Sequence, residues 1–230
     1  SAVPSASISG PVDVNEASGT VTFTVTLSET SPASITINYT TSNGTAVAGS
    51  DFTPTVGNVV FAPGETSKTI TIPITNDTVF EGAENFSINL TNPSNVVIGS
   101  GTAVTVIKDD GTGTGGVNDD RPEVSSISAA TVDEGGRLVF TVKLSAVSGT
   151  ATSVNVNTSS GSANVGVDTG AQEFSVDGGV TWTSLGGAVT VPAGATSFLV
   201  RVATVNDGVL EGSETINLSA STAQNISPLV

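Results

Sequence analysis

Residues 20–28 read TVTFTVTLS, and this stretch decides the fold class of the chain. Threonine alternates with valine, phenylalanine and leucine, which places apolar side chains on one face of an extended strand and polar ones on the other. The same period of two recurs in SITINYTTS (34–42), KTITIPIT (68–75) and TAVTVIK (102–108), with turn-forming Gly, Asn, Asp and Pro between the segments. No comparable stretch has a helical period. The sequence therefore predicts an all-β protein.

The strand pattern occurs twice along the chain. VDVNEASGTVTFTVTLSET (12–30) aligns with ATVDEGGRLVFTVKLSAVS (130–148), and TNDTVFEGAENFSINLTN (75–92) aligns with VNDGVLEGSETINLSAS (205–221). The second copy is longer between these blocks, and the extra residues lie in AQEFSVDGGVTWTSLGG (171–187). The chain is therefore predicted to contain two copies of one domain.

Short strands separated by turn signals favour β-sandwiches. We expect two tandem, immunoglobulin-like antiparallel β-sandwiches: residues 1–110, then a Gly/Asp-rich linker at 111–122, then residues 123–230. The second sandwich is expected to carry a hairpin insertion near 171–188. Because the chain stops after the sixth strand of that copy, we expect the copy to lack its final strand.

Composition limits the classes of partner. The chain has 230 residues with 21 acidic and 6 basic side chains, giving a net charge of −15, and it is 37% hydrophobic. It has enough apolar residues to fold, and it has no basic surplus for binding a phosphate backbone. No apolar run is long enough to span a bilayer. We therefore expect a monomer that neither binds nucleic acid nor inserts into a membrane.

Missing residue types limit the chemistry. The chain has no cysteine and no histidine, which excludes Ser-His and Cys-His hydrolases, disulfides and the usual zinc sites. Carboxylate chemistry remains, either as an acid/base pair or as a site for a hard cation. Glu81 and Glu84 could imitate a glycosidase pair, but aromatic residues make up only 4% of the chain. We therefore expect a protein that is not an enzyme.

Acidic residues of the first copy are predicted to meet at one end of its sandwich. Because antiparallel strands alternate in direction, every second turn and the end of the last strand lie at the same pole. The carboxylates at that pole are Glu16, Asp51, Asp77, Glu81, Glu84, Asp109 and Asp110. Such charges repel one another, and only Lys108 is near them in sequence. Calcium takes about 6–8 oxygen ligands, and its positive charge would offset this repulsion.

A simpler explanation is that acidic residues favour turns and solubility. The internal repeat argues against it, because the second copy keeps the positions of these residues as well as their number.

The segments GTAVAGSDF (44–52), VVFAPGETSKTITIPITNDTVFEGAENFSINL (59–90) and IKDDG (107–111) closely resemble the Calx-beta domain. That family is named for sodium–calcium exchangers and is also repeated in large bacterial surface proteins. The resemblance implies an immunoglobulin-like sandwich whose distal loops bind a small calcium cluster. The metal ligands that it implies in the first copy are the seven carboxylates named above. In the second copy they are Glu134, Asp168, Asp207, Glu211 and Glu214.

We expect tandem calcium-binding extender domains of a large bacterial cell-surface or secreted adhesin, similar to those of the repeats-in-toxin type. Calcium would make the domains and their junction rigid in the extracellular medium, with Asp119 and Asp120 of the linker as additional contacts. The expected partners are neighbouring repeats of the same chain, with surface glycans or proteins as further candidates. Two alternatives stay open: a calcium-sensing regulatory module, and a carbohydrate- or protein-binding adhesive module.

Two further motifs have a structural and a functional interpretation. SVDGGVTW (175–182) resembles the Asp-box hairpin, which usually stabilises a turn; the alternative is a sugar platform built on Trp182. Gly111, Gly113 and Gly116 fit the spacing of a dinucleotide-binding loop, but no helix pattern follows them. We therefore interpret these glycines as part of the linker.

Overall fold

The structure of the chain is a computed structural model that describes residues 2–129 and 131–223. Its contacts divide the chain into two compact units, which are described separately. The first unit comprises Ser1–Asp77 and Glu81–Asp119, and the second comprises Thr78–Phe80 and Asp120–Val230. Among the described residues, no helix has the length and apolar character needed to cross a membrane.

The first unit consists of nine strands and one 3₁₀ turn, Glu16–Ser18. The strands are β1 (Ser5–Ser9), β2 (Asp13–Asn15), β3 (Thr20–Leu27), β4 (Ile35–Asn43), β5 (Val56–Phe61), β6 (Ser67–Pro73), β7 (Glu84–Ser94), β8 (Val97–Ile98) and β9 (Thr102–Lys108). They form a four-stranded sheet in the order β6-β3-β1-β8 and a five-stranded sheet in the order β2-β9-β7-β4-β5. All neighbours are antiparallel except the pairs β1–β8 and β2–β9.

The alternation in the sequence explains how these sheets pack. Along β3 the side chains of Val21, Phe23, Val25 and Leu27 are buried, and the threonines between them are mostly exposed. Phe86 of β7 is fully buried, and its ring meets the ring of Phe23 edge-on. Apolar faces of two sheets packed in this way define a β-sandwich.

The second unit repeats this plan. Its strands are β10 (Val124–Ala129), β11 (Arg137–Leu144), β12 (Thr152–Ser160), β13 (Thr169–Ser175), β14 (Thr183–Ser184), β15 (Ala188–Val191), β16 (Ser197–Thr204) and β17 (Ile216–Ser221). One sheet has the order β10-β11-β16-β13-β14, and the other has the order β15-β12-β17. The expected fold class, two tandem immunoglobulin-like β-sandwiches, is therefore confirmed.

The insertion predicted near 171–188 corresponds to a hairpin in the second unit. Strands β13 and β14 pair antiparallel, with Phe174 opposite Thr183, and β13 extends the sheet beyond β16. The two short parallel strands of the first unit, β2 and β8, were not predicted. They are too short to show a period, and only their pairing with β9 and β1 makes them strands.

The segment expected as a linker, residues 111–122, is divided between the units. Residues 111–119 belong to the first unit, where Asp110 and Asp119 form an isolated antiparallel bridge. Residues 120–122 belong to the second unit.

Candidate metal centre

The first unit gathers acidic residues from four separate segments at one end. Asp51 lies in the connection between β4 and β5, and Asp77 and Glu81 lie in the connection between β6 and β7. Glu16 opens the 3₁₀ turn, Glu84 opens β7, and Asp109 follows β9. A small cleft at this end is lined by all six of these carboxylates together with Ser50, Thr75, Gly82 and Ile107. We call it the acidic cleft.

Three of the carboxylates form the tightest group in the cleft. One oxygen each from Asp51, Glu81 and Glu84 can be chosen so that all three lie within 4.8 Å of one another. Asp51 and Glu84 are half-buried and Glu81 is exposed, so the group faces solvent on one side.

Asp51 is held by its own loop and by the core. Its Oδ2 accepts a hydrogen bond from Val47 N at 2.6 Å, and its carbonyl oxygen accepts one from Thr75 N at 3.0 Å. The next residue, Phe52, is buried and stacks on Phe86 with the ring centroids 4.2 Å apart. The position of Asp51 is therefore fixed from both sides.

Two further carboxylates lie deeper in the cleft. Glu16 is 6% exposed and Asp109 is 3% exposed. A carboxylate oxygen of Glu16 accepts a hydrogen bond from Asp77 N, and Asp109 Oδ2 accepts one from Glu81 N at 2.7 Å. Glu16 and Asp109 thus accept hydrogen bonds from the backbone N–H groups of Asp77 and Glu81. These two hydrogen bonds hold Asp77 and Glu81 in place.

Asp110 differs from the other six residues expected at this pole, because it does not line the cleft. Its Oδ1 accepts hydrogen bonds from the backbone N–H of Thr112 at 3.0 Å and from the Thr112 hydroxyl at 2.5 Å. This carboxylate therefore stabilises the turn that follows β9.

Burial and neighbouring carboxylates raise the pKa of two side chains in the acidic cleft. Burial, followed by the charges of Asp51 and Glu81, raises the pKa of Glu84 from 4.5 to about 7. Burial, together with Asp51, Asp77 and Asp109, also raises the pKa of Glu81. In the absence of a cation, the cleft therefore holds its negative charges at an electrostatic cost.

Because the pKa of Glu84 is raised in the folded chain, we expect the stability of the fold to depend on pH. Between about pH 4.5 and 7 the folded chain binds more protons at Glu84 than the unfolded chain, so stability must fall as pH rises through this window. With a chelator present, we expect the melting temperature to decrease from pH 5 to pH 8. Glu84→Gln should reduce this decrease, whereas Glu29→Gln, at an exposed site outside the cleft, should preserve it. A wild-type melting temperature that rises over this range would contradict the prediction.

The second unit repeats the tight group. Oxygens of Asp168, Glu211 and Glu214 also lie within 4.8 Å of one another. Asp168 is held as Asp51 is: its Oδ2 accepts a hydrogen bond from Asn164 N at 2.7 Å, and its carbonyl oxygen accepts one from Val205 N at 2.9 Å. The charge of Glu214 is the main cause of a raised pKa at Glu211.

The surroundings of this second group differ from those of the first. Asp168, Glu211, Glu214 and Glu134 line a cavity of about 650 Å³ that also has apolar walls. In the first unit, β9 pairs with β7, whereas no described strand pairs with β17 on the side away from β12. Asp207 does not line this cavity; its Oδ1 accepts a hydrogen bond from Val209 N at 2.8 Å.

The donor chemistry of both groups fits calcium. All the grouped atoms are carboxylate oxygens, which hard cations prefer, and their separation suits ligands about 2.3–2.6 Å from one Ca²⁺ ion. In the first unit Asp51, Glu81 and Glu84 would hold the ion, with Asp77, Glu16 and Asp109 adjacent. In the second unit Asp168, Glu211 and Glu214 would do so.

The 175–182 hairpin has the contacts of a stabilised turn. The carboxylate of Asp177 accepts hydrogen bonds from the Ser175 hydroxyl at 2.6 Å and from the Thr181 hydroxyl at 2.5 Å. Trp182 Nε1 donates to Gly179 O at 3.0 Å, and the Arg201 guanidinium lies 4.0 Å from the Trp182 ring centroid. One face of the indole is therefore already occupied by a cation–π contact.

One residue near the cleft, Asn15, was not predicted from the sequence. Asn15 is fully buried beside Glu16, and its Oδ1 accepts a hydrogen bond from Ala17 N at 3.0 Å. The signal that could have found it is its residue type, because Asn is a preferred N-cap of a helical turn.

Part of the chain is similar in sequence to known proteins. Dog sodium/calcium exchanger 1 is 50% identical over 56 residues, which is 24% of this chain and 6% of the exchanger. Rat sodium/calcium exchanger 2 is 45% identical over an equal length. This chain thus matches only a small part of those proteins.

Solved structures also match. The crystal structure of the apo-form Calx CBD1 domain is 30% identical and covers 47% of this chain and 99% of its own, with a TM-score of 0.45. CBD12 from CALX1.2 is 20% identical and covers 96% of this chain and 82% of its own, also with a TM-score of 0.45.

The family match extends over nearly the whole chain. The Calx-beta domain family matches residues 7–117 and matches again at residues 118–228. Each match contains one sandwich and one tight carboxylate group. The chain therefore belongs to the Calx-beta domain family, as two tandem copies.

Proposed function

We propose that this chain is a calcium-binding module in which each sandwich is stabilised by Ca²⁺ at its acidic end. The observation that carries the proposal is the group of Asp51, Glu81 and Glu84 oxygens within 4.8 Å of one another, repeated in the second unit. Calcium would offset the burial and the neighbouring charges that raise the pKa of Glu84 in its absence. Because it would bind the folded state in preference to the unfolded one, it would stabilise the fold.

The role that we propose for the module is structural. The chain has no cysteine, so an extracellular copy would need a means other than disulfides to become rigid, and calcium would supply it. We propose an extender of a large bacterial cell-surface or secreted adhesin of the repeats-in-toxin type, located outside the cell and without catalytic activity. Its partners would be neighbouring repeats, with surface glycans or proteins as further candidates.

The relatives favour a second role. The matched proteins are sodium/calcium exchangers, and a calcium-sensing regulatory module would use the same sites. The parent gene distinguishes the two roles: further tandem repeats of this domain would indicate an extender, and membrane-spanning segments in the same protein would indicate a sensor.

Titration calorimetry tests the shared calcium-binding function. The full chain, freed of metal with a chelator and dialysed, is titrated with CaCl₂ and separately with MgCl₂ at pH 7.5. We expect saturable calcium binding and much weaker magnesium binding, because Mg²⁺ demands a stricter geometry and gives up its water reluctantly. Asp51→Asn combined with Glu84→Gln should abolish binding in the first unit, and Asp168→Asn combined with Glu214→Gln should do so in the second.

The matched control is Glu29→Gln combined with Glu123→Gln, which removes two charges at exposed positions outside both groups. This control should bind calcium as the wild type does. A wild-type chain that gives no heat at millimolar calcium and shows no other sign of binding would refute the function.

A further inference from the structure

The outer face of the five-stranded sheet in the second unit carries a group of basic side chains. Along β11 the side chains of Phe140 and Val142 are buried in the core. Because successive residues of a strand point to opposite faces, the positions that alternate with them point away from the core. Those positions include Arg137 and Lys143, and Arg201 has the same orientation on the neighbouring strand β16. Three of the six basic residues of the chain therefore lie on one sheet face.

The first unit has the same face without these charges. Its strands β3 and β6 pair in the register of β11 and β16, so that Thr22 lies opposite Thr71 as Val139 lies opposite Arg201. The residues of the first unit at the positions of Arg137, Lys143 and Arg201 are Thr20, Thr26 and Thr71. The sandwich thus forms with neutral hydroxyl side chains at these positions, and its fold does not explain the basic group of the second unit.

Two contacts fix the guanidinium of Arg201. Its Nε donates a hydrogen bond to Glu173 Oε2 at 2.6 Å, and its Cζ lies 4.0 Å from the centroid of the Trp182 ring. Both partners belong to the segment 171–187, by which the second copy is longer than the first. Within the described part of the chain, the terminal nitrogens of Arg201 have no hydrogen-bond partner. The planar fork is therefore held in place with donors left for a ligand.

Arg137 and Lys143 extend this group along β11. Arg137 Nη1 donates to the same oxygen of Glu173 at 3.0 Å, and its side chain is 52% exposed. Lys143 is exposed at the other end of the strand. At about 3.4 Å per residue, the two side chains are roughly 20 Å apart. We call the face formed by Arg137, Lys143, Arg201 and Trp182 the basic strip; its three cations outnumber its one carboxylate, although the chain has a net charge of −15.

The side chains next to these cations indicate which kind of anion fits. Thr141 of β11 and, opposite Thr141 and Lys143, the serines Ser128 and Ser126 of β10 point to the same face and offer hydroxyl groups. Trp182 is half-buried and offers apolar ring surface. A carboxylated sugar presents hydroxyl groups, apolar C–H groups and an anion on one small ring. The basic strip has a partner for each of these three features.

An acidic peptide fits this face less well. Strand β11 pairs with β10 and β16, and β16 pairs with β11 and β13, so the backbone groups of both strands are used within the sheet. A peptide that adds as a strand needs an exposed edge, and the basic strip lies between two edges. A peptide could contact it through side chains alone.

We propose that the basic strip binds a carboxylated oligosaccharide, of the polyuronate type. The arginine forks would bind carboxylates with paired hydrogen bonds, Lys143 would add a point charge, and Trp182 would pack against a sugar ring. The site lies outside both tight carboxylate groups, so this function does not depend on calcium binding. It assigns a binding surface and a chemical class to the glycan partner of the proposed adhesin.

Titration of the full chain with oligogalacturonate, in the presence of a chelator, tests the proposal. Trp182 is the only tryptophan of the chain, so its fluorescence reports on the basic strip, and calorimetry gives the Kd. We expect saturable binding with a change in fluorescence. Binding should weaken when NaCl is raised from about 0.1 to about 1 M, because the screening length falls from about 10 to about 3 Å. A neutral cello-oligosaccharide that bound as tightly would overturn the proposal.

Arg137→Thr combined with Lys143→Thr gives the strip the residues of the first unit and keeps the contacts of Arg201. The Kd for oligogalacturonate should rise by about ten-fold or more. The matched control is Lys68→Thr combined with Lys108→Thr, which removes two positive charges from the first unit and should bind as the wild type does. Equal affinities of the two double variants would show that only net charge matters, and would overturn the proposal.

A glycan is distinguished from an acidic protein by the aromatic side chain and by a second probe. Trp182→Leu should weaken the binding of oligogalacturonate, as measured by calorimetry. Oligoglutamate with the same number of carboxylates should bind the wild type about ten-fold more weakly than oligogalacturonate does. Equal or tighter binding of oligoglutamate would indicate an acidic protein partner and would refute the glycan site, as would an unchanged affinity in Trp182→Leu.

Calcium separates this proposal from the calcium-binding function. Oligogalacturonate should bind the strip both with chelator and with CaCl₂. Binding that occurred only with calcium would place the sugar carboxylates at the acidic ends of the sandwiches, which would refute the strip and support the calcium sites. A chain that bound oligogalacturonate with chelator but bound no calcium would refute the calcium-binding function and support the strip.

Discussion

In the presence of a chelator, replacing Glu81 and Glu84 with glutamine should raise the melting temperature of the chain; in saturating calcium the same replacement should lower it. The first effect follows because burial and the neighbouring carboxylates disfavour the charged forms of both side chains. The second follows because glutamine lacks the anionic oxygen that calcium prefers.

The calcium effect should be large. A ligand at about 100 times its Kd stabilises the folded state by about 2.7 kcal/mol. For a sandwich of this size that corresponds to a rise in melting temperature of about 10–20 °C. Scanning calorimetry of the wild type, the double variant and the Glu29→Gln/Glu123→Gln control checks it, and only the double variant should lose the response in the first unit. The prediction would be contradicted if the melting temperatures of the double variant and the control changed equally, both with chelator and with saturating calcium.

Phe52→Ala should reduce both stability and calcium affinity. Phe52 is 1% exposed and stacks on Phe86 with an interplanar angle of 13°, so its truncation should cost about 3–5 kcal/mol. Because Phe52 directly follows Asp51, loss of the stack should also release a carboxylate of the tight group. Calcium affinity in the first unit should fall by about ten-fold or more, which corresponds to about 1.4 kcal/mol.

Phe61→Ala is the matched control, because Phe61 is also 1% exposed but lies in β5, outside the acidic cleft. Urea unfolding measures the stability of each variant, and calorimetry at low temperature measures its calcium affinity. The two variants should lose similar stability, and only Phe52→Ala should lose affinity. Phe52→Leu, which leaves a smaller cavity, should show the same ranking if the alanine variant does not fold. Equal affinities in the Phe52 and Phe61 variants would show that the stack does not position Asp51.

The agreement between sequence and structure is closest where the signal is local. The alternating segments at 20–28 and 68–75 correspond to the strands Thr20–Leu27 and Ser67–Pro73, because alternation alone specifies which face is buried. The repeat also predicted equivalent surroundings for Asp51 and Asp168, and both accept a hydrogen bond from the backbone N–H four residues earlier. A repeated sequence in a repeated fold gives repeated contacts.

The agreement is poorer where distant segments meet. Asp109 and Asp110 are adjacent and chemically identical in the sequence, yet one is buried in the acidic cleft and the other bonds to Thr112. Residues 111–118 likewise have the composition of a flexible linker, but they lie against β2, where Thr112 O and Asn118 O accept hydrogen bonds from Asn15 Nδ2, about a hundred residues earlier in the chain.

The sequence by itself determined that the chain is all-β, that it contains two copies of one sandwich, and that acidic residues lie at one end of each copy. These properties follow from periodicity, repetition and the alternation of strand direction, all of which can be counted along the chain. The tertiary structure decided which oxygens lie within 4.8 Å of one another, which carboxylates support loops, and that residues 111–118 dock onto the first unit. The physical reason is that these features arise from hydrogen bonds and close packing between residues far apart in the chain, and local patterns do not encode such distances.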